Sequence, residues 1–527
     1  MTTVTPPTDI TLPESASSHA SRPRSATHGQ TRAQDRVGLG EKLALGAGGF
    51  AKFFGEQGVK TIAIPVYQMT LAVNPMLLTI AMSIPRIWDA FSDPMMGNIS
   101  DNWRSRHGRR RPFIFVGAIL MGLSFALIWM VPTTWGHDAQ LAYFLITSLV
   151  FFTCLTIFAV PFNSLTYELT ADYHERTRIQ AYPTFFSKIA EAGRDWVLPL
   201  ASMIGAWMIA IGWVTAANAG DGSGAGQIAD ESGANLIAGI PFVGWFVGII
   251  LMAGMGVLPA LFVKERFQSL VNTKHDEGDR VRFVPTLAQS LRSNAFRVLI
   301  GLTIFKIIAG MLASGLDYYV ITYHMFAGDI ATGTKWKAIL STGYAVVGFV
   351  SVFGMRWLAS RYEKRTVLMV VYAMVVVGGV VKWFVFQPGH SPWWILLDPI
   401  MCGPIWVAVG MIMPSMLADI CDEDELVSGQ RREGMYGAIF TWINKSGASL
   451  SMLGMGVVLT VSGFAAERGG DQSEAAITVL RLALAGSTSL MAILAMIVLR
   501  WYPITEAKAN NTRRMLEERR GAISAAS

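Results

Sequence analysis

The stretch Ala81-Met-Ser-Ile-Pro85-Arg86-Ile-Trp88-Asp89-Ala-Phe-Ser92-Asp93-Pro94-Met-Met-Gly97 sets two carboxylates and an arginine inside an apolar run. The i, i+4 spacing of Asp89 and Asp93 puts both acids on one helix face, about 6 Å apart at Cβ, close enough to share one cation or one proton. A charge at the centre of a bilayer costs from about 3 kcal/mol to more than 10, so this pair needs compensation. Pro94 has no N–H and leaves the carbonyl of Ala90 without its helical partner, and Ser92 adds a hydroxyl. Oxygen atoms suited to a hard cation therefore surround the acids. The bland alternative is that Arg86 or a cation from another helix pairs with them only to lock the fold; two acids on one face favour the cation site.

Working outward, the 527 residues are 52% hydrophobic and only 15% charged, and the mean hydropathy is +0.41. That is too apolar for one soluble core, and the solvent for most of the chain is lipid. Apolar runs of roughly 20 residues, the length that spans a bilayer, recur to the end of the chain and predict about twelve spans. They fall near 44–72, 76–102, 113–132, 141–171, 182–213, 236–263, 295–326, 337–359, 366–387, 393–421, 435–463 and 474–500.

The net charge of +6 lies in short basic clusters between these runs, a pattern of membrane topology and not of a nucleic-acid-binding face. One side holds Arg104 to Arg111, Arg176 and Arg178, Lys264 to Arg292, Arg361 to Arg365, and Arg431 with Arg432; the other has little beyond Lys335, Lys337 and Arg468. The positive-inside rule then places both termini in the cytoplasm, with the protein in the plasma (inner) membrane. Cys154, Cys402 and Cys421 lack the spacing of a disulfide or zinc framework. Neither a cluster of metal-ligating histidines nor a nucleophile–base motif is found, so neither an enzyme nor a resident cofactor is expected.

Residues 1–40, rich in Ser, Thr, Pro and Arg, read as a disordered cytoplasmic tail. An N-terminal six-helix bundle is expected over 41–263, a polar cytoplasmic linker over 264–294, a second six-helix bundle over 295–503 and a cytoplasmic tail over 504–527. A faint repeat supports the division: Gly97, Asp101 and the Arg104 to Arg111 cluster follow the second span, as Gly354 and the Arg361 to Arg365 cluster follow the eighth. The segment Gly220 to Gly226 reads as a flexible outer loop.

Other charges fall inside spans. Lys445, between Trp442 and Gly447, needs a counter-charge and is the candidate partner of Asp89 and Asp93. Lys188, Glu191, Arg194 and Asp195 are spaced either to neutralise one another along one helix or to face a substrate as a polar wall, and both readings stand. Glu56 is expected to line the cavity, whereas Lys60, Lys306, Asp317 and Lys382 are less informative alone. Trp393, Trp394 and Trp501 sit at span ends, where interfacial belts collect tryptophan. Trp442, mid-span, is a candidate to stack on a sugar, with plain helix packing as the alternative.

The run from Arg86 to Gly97, continued through Asp101 to Gly108-Arg-Arg-Arg-Pro112, resembles the signature of the glycoside-pentoside-hexuronide:cation symporters. These are the melibiose-permease-like members of the major facilitator superfamily. Pro161-Phe162-Asn163-Ser164-Leu165 with Glu175-Arg176-Thr177, Phe185-Phe186, and Thr441 with Lys445 extend the resemblance over about residues 40 to 500. It implies the major facilitator fold, an all-α membrane protein of about twelve helices in two bundles, and symport of a sugar with sodium or a proton by a chain that works as a monomer. Asp89, Ser92, Asp93 and Thr156 would hold the cation; an asparagine stands at the Ser92 position in the melibiose permeases. Lys445 with Thr441 would couple cation to substrate, and Lys52 matches a first-helix lysine near the sugar.

The loop holding Gly97, Asp101, Arg104, Arg109, Arg110 and Arg111 resembles the superfamily's cytoplasmic gate, in which Asp101 and the arginines would pair across the bundles; a simple positive-inside anchor is compatible with it. Phe53, Ala159, Asn163 and Thr184 stand where melibiose permeases carry, in turn, two sugar-binding aspartates, a tryptophan and an arginine, so melibiose-type recognition is not implied. Glu56, Glu191 and Asp195 are the acids nearby that would replace the missing ones, with Arg194, Asn163 and Trp442 beside them. A eukaryotic branch of similar sequences moves lysolipids, which leaves a lysolipid or other non-sugar transporter as the alternative, and a non-transporting sensor of the same fold as another.

Overall fold

The computed structural model describes residues 37–103, 105–169, 173–214, 231–265, 293–428, 433–465 and 468–526. The first tail up to residue 36, the glycine-rich segment 220–226 and most of the linker lie outside them. Before the linker come α1 (Leu39–Ala63), α2 (Pro75–Asn102), α3 (Arg111–Ile128), α4 (His137–Glu168), α5 (Tyr173–Arg194), α6 (Val197–Ala210), α7 (Glu231–Phe246) and α8 (Met255–Phe262). After it come α9 (Asn294–Tyr319), α10 (Ile330–Arg361), α11 (Lys364–Val385), α12 (Leu397–Cys402), α13 (Pro404–Ser428), α14 (Glu433–Ser462), α15 (Glu474–Leu499) and α16 (Glu506–Ala526).

These helices make six passes on either side of the linker, because some passes are broken. The fifth is interrupted at Asp195 and Trp196, between α5 and α6, and the tenth at Gly403, between α12 and α13. π-helical turns extend α1 over Ile64–Thr70, join α7 to α8 over Val247–Gly254, and extend α9 over Val320–Met325. Breaks of this kind free backbone groups, which a membrane protein tolerates where protein or a cavity covers them.

Among the described residues, eight helical segments are long and apolar enough to cross a bilayer by composition alone. The passes outside that set are α1, α2, α5–α6 and α14. They are the ones carrying Lys52, Asp89, Asp93, Glu191, Arg194, Asp195 and Lys445, so polar side chains lower the hydropathy of these passes.

The passes close on one another through small residues. Gly205 on α6 faces Asn235 and Gly239 on α7, and a Cβ on either glycine would collide with a backbone carbonyl of the other helix. Close approach of this kind drives helix association in lipid, where burial of apolar surface supplies little. Gly239→Ala should force α6 and α7 apart at a cost of about 1–3 kcal/mol, read as a lower midpoint for heat-induced loss of the monodisperse peak on size exclusion.

The two halves meet along α2 and α14, and along α5 and α10. One apolar core crosses the seam at the face opposite the termini, gathering Tyr67, Leu71 and Val73 with Tyr319, Tyr323 and Phe464; a second core belongs to the later half alone. The last segment, read from sequence as a tail, is the helix α16. It buries Leu516 and Thr512, and Lys508 pairs with Glu423 of α13 at 2.5 Å.

Candidate functional site

α2 carries Asp89 and Asp93 to the seam, with Pro85 and Pro94 inside the helix. Thr156 of α4 donates to Asp93 Oδ1 at 3.0 Å and lies 3.3 Å from the Ser92 hydroxyl. Lys445 of α14 closes the group from the other half as an ion pair with Asp93. Asp89, 6% exposed, lies 3.7 Å from Arg86. Its Oδ1 finds no hydrogen-bond partner among the described residues.

Arg86 also donates to the backbone carbonyl of Glu56 and covers the Phe152 ring at 4.7 Å. One guanidinium thus ties α1, α2 and α4 together beside the acids. Asp89, Ser92 and Asp93 of α2, Thr156 of α4 and Lys445 of α14 form one cluster of oxygen atoms and a cation. The side chain of Thr441 lies outside the described residues.

A cavity of about 300 Å³ lies between the halves, lined from the first by Phe53, Lys60, Glu191, Arg194 and Asp195 and from the second by Lys306, Lys337 and Trp406; the residues of the acid cluster are not in its lining. Arg194 pairs with Asp195 at 2.7 Å and Lys188 with Glu191 at 2.6 Å. The helix ends at Arg194, within the second pair, so Asp195 leaves it and the four side chains do not form one continuous helical ladder. Asp195 turns across the seam and accepts from the Tyr318 hydroxyl at 3.0 Å. Trp196 donates to Thr342 at 2.9 Å, a second polar link between the halves.

Lys52 and Asn163 line a neighbouring cavity of about 240 Å³ together with Thr184, Lys188 and Glu191. Glu56 pairs with Lys52 at 3.6 Å and lines neither cavity. Trp442, 46% exposed, lines neither cavity as well. The tryptophan at the main cavity is Trp406 of α13.

The loop before α3 is tied to its own half. The backbone amides of Arg109, Arg110 and Arg111 donate to the Glu265 carboxylate at 2.8, 2.8 and 3.0 Å, and Arg111 reaches the Ala260 carbonyl at 2.6 Å. Gly108, at φ +106°, makes the turn that permits this. Gly97 faces Val160 of α4; Arg104 and the side chain of Asp101 lie outside the described residues. These bonds anchor the loop within one half, and the expected pairing of Asp101 and the arginines across the bundles falls on side chains that lie in part outside the described residues.

Sequence reading did not assemble one further group. Lys337 of α10 pairs with Asp317 of α9 at 3.1 Å; Lys382 of α11 lies 3.7 Å from Asp317 and 3.0 Å from Asp398 of α12. Tyr344 completes the chain on Asp398 at 2.9 Å. The charge pattern places Lys337 with the loops, and Asp398 falls inside the apolar run 393–421. Alternating sign at similar depth on neighbouring passes was the signal available, and it needed the pairing of passes to be read.

A fold of six passes and six passes, with paired charges at the seam and a cavity between, is that of a major facilitator transporter. Residues 44–506 match the family described as MFS/sugar transport protein, and the chain belongs to that family, the melibiose-permease-like branch of the superfamily. It is 25% identical to the uncharacterized symporter sll1374 of Synechocystis sp., over 93% of this chain and 98% of that one. It is 23% identical to sodium-dependent lysophosphatidylcholine symporter 1 of Gallus gallus, over 92% and 90%. Among solved structures it resembles an inward-facing bacterial homologue of the human lysosomal transporter Spinster, with a TM-score of 0.59, 13% identity and coverage of 90% and 97%. The protein is an integral membrane transporter for a small molecule, coupled to a cation, and not an enzyme.

Proposed function

We propose that this protein carries a glycoside or related sugar by symport with sodium or a proton, alternating access by rocking of the two halves. The observation that carries the reading is the meeting of Asp89, Asp93 and Thr156 from one half with Lys445 from the other. In this mechanism a cation at Asp89 and Asp93 competes with Lys445, releases it, and so makes the seam between α2 and α14 respond to occupancy. Coupling requires only that cation and substrate favour the same state. The family's description as sugar transport supports a sugar.

The unpaired Oδ1 of Asp89, with Ser92, Asp93 and Thr156, is the donor set for the ion; the cavity lined by Glu191, Arg194 and Asp195, with the neighbouring one that Asn163 and Glu191 line, is the substrate's. The same proposal covers residues 41–263 and 295–503 as the two rocking units, both termini in the cytoplasm of a plasma membrane, and a working monomer.

The test is uptake into vesicles of glycosides and, as the alternative, lysophospholipids, under imposed sodium, lithium and proton gradients. Accumulation should need one of the gradients and should vanish in Asp89→Asn at equal membrane abundance. Accumulation that persists in that variant would overturn the cation site; ligand binding without accumulation would favour a sensor.

A further inference from the structure

The main cavity is lined by six basic side chains and three acidic ones among the described residues. A fourth acid, Asp398, stands behind Lys382. Lys188, Arg194, Lys337 and Lys382 each have a carboxylate at 3.1 Å or less. The lining therefore keeps a surplus of positive charge even after its acids are counted.

Lys306 stands apart from those pairs. It lies on α9 about 18 Å from the helix start at the 1.5 Å rise per residue, deep in the bilayer by that measure. No carboxylate among the described residues reaches it. Its contacts are neutral: the amide oxygen of Asn444 at 3.4 Å and the Trp406 ring, 6.0 Å from its centroid. Gly310, one turn further along α9, leaves the space that the Trp406 ring fills, since a Cβ there would collide with it. An ammonium at this depth needs an opposite charge, and a cavity holding it beside a flat ring offers two contacts to one ligand.

Resting on the transport reading above, we infer that Lys306 and Trp406 form the seat for a negatively charged group of the transported substrate, a carboxylate or phosphate, with its adjoining ring or chain laid on the indole. The anion arrives as the counter-charge that the protein itself withholds. Loading then removes the cost of a buried cation, and an uncharged analogue of the same shape lacks that gain.

The test uses the cavity's own potential. In a chain with Cys154, Cys402 and Cys421 changed to Ser, Ala309→Cys puts a thiol on the cavity wall three residues from Lys306; Ala313→Cys serves as a second position in case the first fails to fold. The purified protein is treated with 2-sulfonatoethyl methanethiosulfonate, an anion, and with its 2-trimethylammonioethyl counterpart, a cation. The anionic reagent should be favoured by about tenfold or more over the ratio found for free cysteine, the range that focusing in a cleft produces. Lys306→Gln should remove most of that preference, and Lys306→Arg should keep it.

A ratio equal to that of free cysteine, or one indifferent to Lys306→Gln, would overturn the anion seat. The measurement needs no gradient. Cation-driven uptake without reagent preference sinks the anion seat alone, and reagent preference with uptake indifferent to Asp89→Asn sinks the cation site alone.

Discussion

Asp93→Asn should reduce gradient-driven accumulation on the order of 100-fold, the upper end of ordinary coupling energies, while changing thermal stability little. The two halves of that expectation come from one geometry. The Asp93 and Lys445 side chains are 28% and 41% exposed, so the pair is only partly enclosed by the protein and contributes less to the fold than a fully buried one. A pair so exposed is easily exchanged for a cation. Asparagine takes away the charged ligand of the proposed ion site and the partner that holds Lys445 at the seam between the halves, while its amide oxygen still accepts from Thr156. Uptake and a heat-denaturation series on the same preparation check both parts. A fall in midpoint as large as that of a buried-charge variant would show that the pair locks the fold.

Asp398→Ala should behave in the opposite way. Lys382 and Asp398 are 2% and 0% exposed, and truncating the acid leaves a buried ammonium with Asp317 at 3.7 Å as its remaining carboxylate. Breaking a buried pair costs about 3–5 kcal/mol, and the midpoint of heat-induced loss of the monodisperse peak should fall accordingly. Replacing both partners, Lys382→Met with Asp398→Leu, removes the stranded charge and should recover most of that loss, because apolar residues of similar size often substitute for a buried pair without penalty. A double variant no better than the single one would show that the chain Lys337–Asp317–Lys382–Asp398 is needed for packing beyond its charges.

The contrast between these pairs could not be drawn from sequence. Asp93, Lys445 and Lys382 all read as charges inside apolar runs, and Asp398 lies in one as well. What separates them is exposure, which depends on how closely the neighbouring passes enclose each side chain. Trp442 and Trp406 illustrate the same point: both sit in predicted spans, and only the rotation of each helix about its axis decides that Trp406 meets the cavity while Trp442 lies exposed on α14. Helical periodicity gives relative positions around one helix, but not which side a neighbour occupies.

Local chemistry was enough for the rest. Apolar runs of bilayer length, interrupted by basic loops on alternate sides, determine a polytopic helical protein, because lipid admits only segments that satisfy their own backbone. The i, i+4 acids with Pro94 and Ser92 determine that α2 carries a polar face, and the signature from Arg86 to Pro112 carries the family. Only the tertiary structure brings Lys445 to Asp93 and Thr156 to Asp93 and Ser92, sets Arg194 and Asp195 at a helix break, turns Glu265 onto the amides of Arg109 to Arg111, and leaves Lys306 facing a cavity with neutral neighbours. The physical reason is that compensation of a charge in lipid is a long-range matter: sequence shows that a partner is required, and packing decides which one answers.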